Sequence, residues 1–182
     1  MSLRTRSYQF QYYLHDSVVK ELIERYYGKG VWQNLAFYDD GAAISVDNWF
    51  NFFTPSAFVE FLRVFRRIKE EYGFTYKGLI DCDDFSALAK AVASLLGFNC
   101  MFEAGGRIVD DRGELLGYHA YNVALYCISE DPAECMDYWQ SRIIPILFEP
   151  QTEEVAIPTW DRHFYIYGLG WVRYVSKVVK PW

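Results

Sequence analysis

Apolar positions recur at helical spacing in three stretches of the chain, and in later stretches they run together or alternate. Residues 17–27, SVVKELIERYY, read as a short amphipathic helix, with Ser17 as its N-cap and Gly28 or Gly30 as its stop. Residues 31–53 carry many aromatics and no clear period. Thr54-Pro55 then opens a strong helix, because threonine caps well and proline fits the first helical position. Its apolar stripe is Phe58, Phe61, Leu62, Phe65 and Ile68, and Gly73 ends it. A turn around Lys77-Gly78 leads to LIDCDDFSALAKAVASLLGF, residues 79–98. Asp81 caps this third helix, Cys82, Phe85, Ala89, Val92 and Leu96 form one stripe, and Gly97 closes it.

After Gly97 the period changes. FNCMFEAGGRIV (98–109) reads as a strand with a Gly-Gly break, and GYHAYNVALYCI (117–128) as a second strand. SEDPAECMDYWQS suits a short helix capped by Ser129 or Asp131. IIPILFEP (143–150) reads as a third strand, and 162–179 as two short strands around Gly168-Leu-Gly170. Helices first and strands afterwards predict an α+β class, with N-terminal helices packed on an antiparallel sheet. One domain over 1–182 is expected, helical over 1–73 and made of the Cys82 helix plus sheet over 79–179.

Composition changes this picture little. Hydrophobic residues are 52% and charged residues 23%, as in ordinary globular chains. Aromatics reach 19% and serve equally for a dense core or for the wall of a sugar or peptide groove. A net charge of −6 with no dense basic patch argues against nucleic acid as partner. Arg63, Arg66, Arg67 and Lys69 are followed by Glu70 and Glu71, the pattern of a solvated helix face. No apolar run is long enough for a membrane span, and MSLRTRSYQF has no apolar leader core, so a cytoplasmic protein is expected. Cys82, Cys100, Cys127 and Cys135 show no CxxC or zinc-finger spacing. Four reduced thiols are the plain reading, and a Cys100–Cys127 disulfide requires neighbouring strands and an oxidising compartment. Oligomeric state is left open.

The sharpest chemistry lies at Cys82, which sits in a first helical turn beside Asp81, Asp83 and Asp84. Unpaired backbone N–H groups favour a thiolate there and the aspartates oppose it, so a cation from elsewhere is needed. His119 lies on the second strand and shares a face with Tyr121, with Ala120 and Asn122 on the other face. Glu149 ends the third strand just before Pro150, which cannot continue the ladder. A helix start bearing Cys, a strand bearing His and a strand end bearing a carboxylate can meet at one sheet edge, as a nucleophile, its base and the group that orients the base.

DCDDFSALAKAVASLLGF, GYHAYNVALY and LFEPQT together resemble the Cys…His…acid signature of the papain-like superfamily. The resemblance is nearest to transglutaminase-like cysteine proteinases and the protease domain of fungal agglutinins, although many of the former carry Asp where this chain has Glu149. It implies a papain-like/transglutaminase-like fold and a catalytic triad of Cys82, His119 and Glu149. It also implies hydrolysis or transfer at an amide bond through a thioester, with a peptide or protein substrate and no cofactor. Gln33 and Gln151 are candidate oxyanion donors beside the Cys82 N–H. The agglutinin-type proteases are calcium-activated, and Asp81, Asp83, Asp84 and Glu103 resemble such an acidic site. Two alternatives stand beside the enzyme. One is a silent binding or assembly module whose triad has become structural. The other is a metal-dependent hydrolase using Cys82, His119 and a carboxylate. Trp32, Trp49 and Trp160 are candidates for a substrate wall or for the core, and His15 and His163 for structural roles.

Overall fold

A computed structural model describes residues 12–33, 35–37, 43–45, 47–76, 80–136, 142–157, 164–166 and 170–180. In chain order the elements are β1 (Leu14–His15), α1 (Asp16–Tyr27), β2 (Leu35–Phe37), β3 (Ala43–Ser45), β4 (Trp49–Phe50), α2 (Pro55–Glu71), α3 (Cys82–Leu95), β5 (Met101–Val109), β6 (Leu115–Cys127), α4 (Pro132–Cys135), β7 (Ile143–Glu149), β8 (Glu154–Ala156), β9 (Phe164–Ile166) and β10 (Gly170–Lys180). The turn expected at Lys77-Gly78, Trp160 and His163 lie outside the described residues.

Capping chemistry sets the helix starts. His15, rather than Ser17, caps α1, its ring accepting from the Ser17 N–H at 3.3 Å. Thr54 caps α2 with Pro55 behind it, as the sequence predicts. Asp81 accepts from the Asp83 N–H while Asp84 accepts from the Asp81 N–H, a reciprocal box that ties off two orphan donors of α3.

The dominant element is one six-stranded antiparallel sheet in the order β8-β7-β6-β5-β10-β9. β6 runs through its middle, pairing Met101 with Ala124 on one side and Leu147 with Val123 on the other. β5 continues through Gly105-Gly106 in register with β6, and the irregularity expected there falls on the other side, where β10 bulges between Ser176 and Val178 opposite the glycine pair. The chain at 31–33 runs beside the outer end of β10, with Val179 N–H to Val31 O at 2.8 Å, so that edge is covered.

The core is aromatic. Phe61 lies 5.5–5.7 Å, ring to ring, from Phe53, Phe58, Phe65 and Phe148, and Phe98 stacks on Phe53 at 4.2 Å. Each such pair adds roughly 0.5–1.5 kcal/mol beyond the area it buries. α3 meets the sheet through Ser86, whose hydroxyl donates to Tyr121 O at 3.0 Å, while Asn122 Nδ2 donates back to Ser86 O at 3.1 Å.

This architecture corrects the expected α+β class of N-terminal helices packed on a sheet. The stretch 1–73 contains β1–β4 among its described residues as well as two helices, and the long strands β5, β6, β7 and β10 make the protein mainly antiparallel sheet. β1 and β4 escaped notice because their partners are distant in sequence, as with Phe50 beside Leu14, whereas β2 and β3 pair with each other inside the aromatic stretch that showed no period.

The cysteine pairing is also corrected. Cys127 is bonded to Cys135, with Cα atoms 5.8 Å apart, while Cys82 and Cys100 are free. Cys100 O pairs with the Leu125 N–H, and beyond it the Phe53 backbone takes over as the neighbour of the end of β6. It bonds Leu125 O at 2.9 Å and accepts from the Cys127 N–H at 2.7 Å. Among the described residues no helix is long and apolar enough to cross a membrane.

Candidate functional site: a thiol–imidazole–carboxylate cleft

Cys82 is the first residue of α3 and is half-buried. Asp81 and Asp84 spend carboxylate oxygens on the helix cap, while a carboxylate oxygen of Asp81 and one of Asp83 still lie within 4.8 Å of the Cys82 sulfur. Asp81 is held above the ordinary carboxyl range, first by its hydrogen bond to Asp83, then by desolvation and by that neighbour's like charge.

His119 reaches this point from β6. Register explains how: Asn122 pairs with Phe148, so one step on Tyr121 stands beside Glu149, and His119 lies two residues further along the same face. That diagonal is within reach of long side chains. His119 Nε2 bonds Glu149 Oε2 at 2.9 Å, and the ring also hydrogen-bonds Cys82, which leaves Nδ1 for the sulfur. Glu149 is fully buried, and its other oxygen accepts from the Gln151 N–H at 3.2 Å.

Burial alone would lower the basicity of His119. The hydrogen bonds to Cys82 and Glu149 and the charges behind them outweigh that, and hold the ring up at about 9. At neutral pH the ring is therefore an imidazolium, donating at both nitrogens. This is the cation that the Cys82 surroundings called for.

Cys82 and His119 stand at an open cleft of about 400 Å³ lined also by Gly105, Gly106, Tyr118, Ala120 and Val178, with Glu149 buried behind the imidazole. Gly106 pairs directly with His119, and Gly105 with both Ala120 and Val178. The glycine pair leaves a trough between β6 and β10. A Cβ added at Gly105 would meet Val178 Cγ1 at 3.9 Å, ordinary contact, so the position holds open space rather than a strained backbone. Tyr118, 66% exposed, forms a rim. The glycines, Tyr118 and Val178 were not singled out as site residues. A Gly-Gly pair inside a strand run was the usable signal, since it marks close approach as well as a break.

Other candidates fall elsewhere. The Gln33 N–H bonds Val179 O, the Gln151 N–H serves Glu149, and neither residue lines the cleft. Asn122 is buried and donates to Ser86 O and Phe102 O. Trp32 is core, its indole N–H on Asp16 at 2.9 Å, and exposed Trp49 packs on His15. Of the four acidic residues suggested for calcium, only Asp81 and Asp83 cluster within 4.8 Å, together with Cys82. Glu103 stands apart, at its β5 register position between Asn122 and Lys180.

Fold and site together define a mainly antiparallel protein with a thiol–imidazole–carboxylate cleft. No protein-family model matches the chain, and no curated protein does. Solved structures do. One, described as a PSL1a–E64 complex, is 16% identical with a TM-score of 0.51 over 92% of this chain. Another, a Polyporus squamosus lectin bound to the human-type influenza-binding epitope Neu5Aca2-6Galb1-4GlcNAc, is 15% identical with a TM-score of 0.53, again over 92%. The chain spans about half the length of each, 51% and 49% respectively. At this identity the likeness is one of fold.

These findings correct the enzyme reading. The chains sharing the fold are described as a lectin and as an E64 complex, not as papain-like or transglutaminase-like proteins. Neither description carries hydrolysis or transfer at an amide bond, or a peptide or protein substrate. The reading of the chain as a cysteine peptidase, amidase or acyltransferase is therefore withdrawn. The physical reason is that Cys82, His119 and Glu149 fix which groups meet, not whether a bound molecule is turned over.

Proposed function

We propose that this chain is a ligand-binding module whose cleft holds a small molecule against the Cys82 sulfur and the His119 imidazolium. The observation that carries this reading is the meeting of Cys82 and His119, the latter backed by buried Glu149, at the wall of an open trough floored by Gly105 and Gly106. A buried, charged pair at an opening is expensive to maintain for packing alone, since apolar side chains would fill the same place at lower cost. The trough walls are otherwise apolar, and exposed Tyr118 offers a ring face to stack on. The E64 complex and the glycan-bound lectin support small-molecule ligands as a class for this fold. Because the chain spans only half of those proteins, E64 and the sialylated trisaccharide serve here as probes.

The test is protection. Iodoacetamide labels Cys82 faster than buried Cys100, and saturating E64 or the trisaccharide slows labelling at Cys82 alone. Titration calorimetry on the wild type gives one site, weakened in Cys82→Ala and His119→Gln. Failure of both probes to bind or protect overturns the proposal. So does repeated turnover of peptide amides that disappears in Cys82→Ala, because a binding module holds its ligand unchanged.

A further inference from the structure

Lys69 was expected on a solvated helix face, yet its side chain is only 12% exposed. Its ammonium lies 4.8 Å over the Phe65 ring, bonds Glu153 at 2.7 Å and donates to Pro150 O at 3.2 Å. Arg66, one turn earlier on α2, grips the other oxygen of Glu153 through Nε at 2.9 Å and Nη2 at 2.5 Å. Burial would raise the Glu153 carboxyl. The bonds and charges of Arg66 and Lys69 outweigh it and hold the group below its ordinary range, so it is ionised at neutral pH.

Glu153 closes the turn that follows Glu149, and its φ is +62°. Among the described residues it is the one non-glycine in the left-handed region. A glycine would hold that conformation at less cost, by about 1 kcal/mol. A glutamate there makes physical sense if its side chain has a task. Its N–H returns to Glu149 O at 2.7 Å, and the same turn presents the Gln151 N–H to the Glu149 carboxylate. A chain of direct contacts therefore runs from α2 through Glu153 and the 150–153 turn to Glu149, and from there to His119 and Cys82.

We infer that Lys69 and Arg66, acting through Glu153, are positioning residues for the Cys82–His119 cleft: they clamp the turn that aims the Glu149 carboxylate at the imidazole. This rests on the ligand-cleft reading above and adds what holds its charged pair in place.

The test compares wild type with Lys69→Met, Glu153→Gly and, as control, Glu60→Gln in the separate exposed Arg63–Glu60 pair on α2. Two quantities are read in the full chain: the rate of iodoacetamide labelling at Cys82, and the titration midpoint of the His119 ring by NMR. In wild type the midpoint lies near 9. Both clamp variants slow labelling by about tenfold, the upper part of the range for coupling through packed contacts. Both also move the midpoint down toward 6.5, while Glu60→Gln changes neither. A purely structural turn would let Glu153→Gly relax the backbone and leave both quantities at wild-type values, and that result overturns the inference. Glu153→Gln keeps the side chain's shape and removes its charge. It shows the same fall in smaller measure even if the other variants fold poorly. A wild type with slow Cys82 and a midpoint near 6.5 overturns the cleft reading, and the clamp with it.

Discussion

Phe148 and Glu149 are neighbours on β7, both fully buried, and they serve opposite ends of the physics. Phe148 turns to α2, meeting the rings of Phe58, Phe61 and Phe65 at 5.5–6.0 Å. Glu149 turns to the other face, where one oxygen meets His119 and the other a backbone N–H. The aromatic side is held by burial, which has no direction and spreads over many contacts. The polar corner is directional, and removing one partner strands a charge. The alternation of a single strand thus sets the aromatic core on one face and the charged pair beside the cleft on the other.

The hardest blow to the comparison falls on the aromatic side. Phe61→Ala leaves a ring-sized cavity and costs about 3–5 kcal/mol, read as a lowered urea midpoint with an unchanged slope. If the two faces are separate, Cys82 in the folded fraction still labels at the wild-type rate. The next effect belongs to the polar corner and depends on pH. The folded pKa of His119, about 9, lies above its ordinary 6.5. Its contribution to stability is therefore complete below 6.5 and is lost as pH rises through about 9. That span corresponds to roughly 3 kcal/mol. Denaturation at a series of pH values shows the fall in wild type and a flatter profile in His119→Gln.

Part of this division is visible in the chain itself. Thr54-Pro55 and Asp81 announce α2 and α3, and the alternation around His119 and the Glu149-Pro150 end announces β6 and β7. Those signals are local, so the side chains that meet in the cleft could be named by type and period. The class could not. A short Cys…His…acid pattern specifies atoms at hand, whereas the sheet order depends on β10 returning to pair with β5, with Tyr174 beside Ile108. Nothing in residues 170–180 announces that partner. The Gly105-Gly106 trough was misread for a related reason. Glycine weakens a strand when viewed locally, and its use appears only once His119 is known to stand opposite. Lys69 looked solvated because Glu70 and Glu71 follow it, while its real partner is Glu153 on a distant turn.

The Cys127–Cys135 bond separates the two regions in another way. It closes a short loop, eight residues in sequence separation, away from the cleft. Within that loop Glu130 caps α2 through Ser56, at 2.9 Å to its N–H and 2.8 Å to its hydroxyl. Loop-closure entropy assigns the crosslink about 2.5 kcal/mol. Cys127→Ser with Cys135→Ser therefore lowers the urea midpoint by less than Phe61→Ala does, with labelling at Cys82 unchanged. A loss of Cys82 reactivity in that double variant would show that the disulfide loop also bears on the cleft, through the start of α2 that Glu130 holds.

The smallest effect sharpens the comparison most, because it falls where both kinds of interaction meet. Asp81 caps α3 at the residue before Cys82, so Asp81→Ala removes a helix cap and a negative neighbour of the sulfur together. Loss of the cap costs about 1 kcal/mol, seen as a modest drop in thermal midpoint. The electrostatic consequence has the opposite sign for reactivity: with one fewer anion beside it, a thiolate at Cys82 is easier to form, provided His119 stays in place. The structure therefore predicts a less stable protein that alkylates faster at Cys82. Asp81→Asn separates the two contributions, since asparagine caps nearly as well without the charge, and it should keep the midpoint while retaining the faster labelling. If stability and labelling instead fall together in both variants, the cap is what holds Cys82 against His119, and the first turn of α3 belongs to the positioning machinery of the cleft.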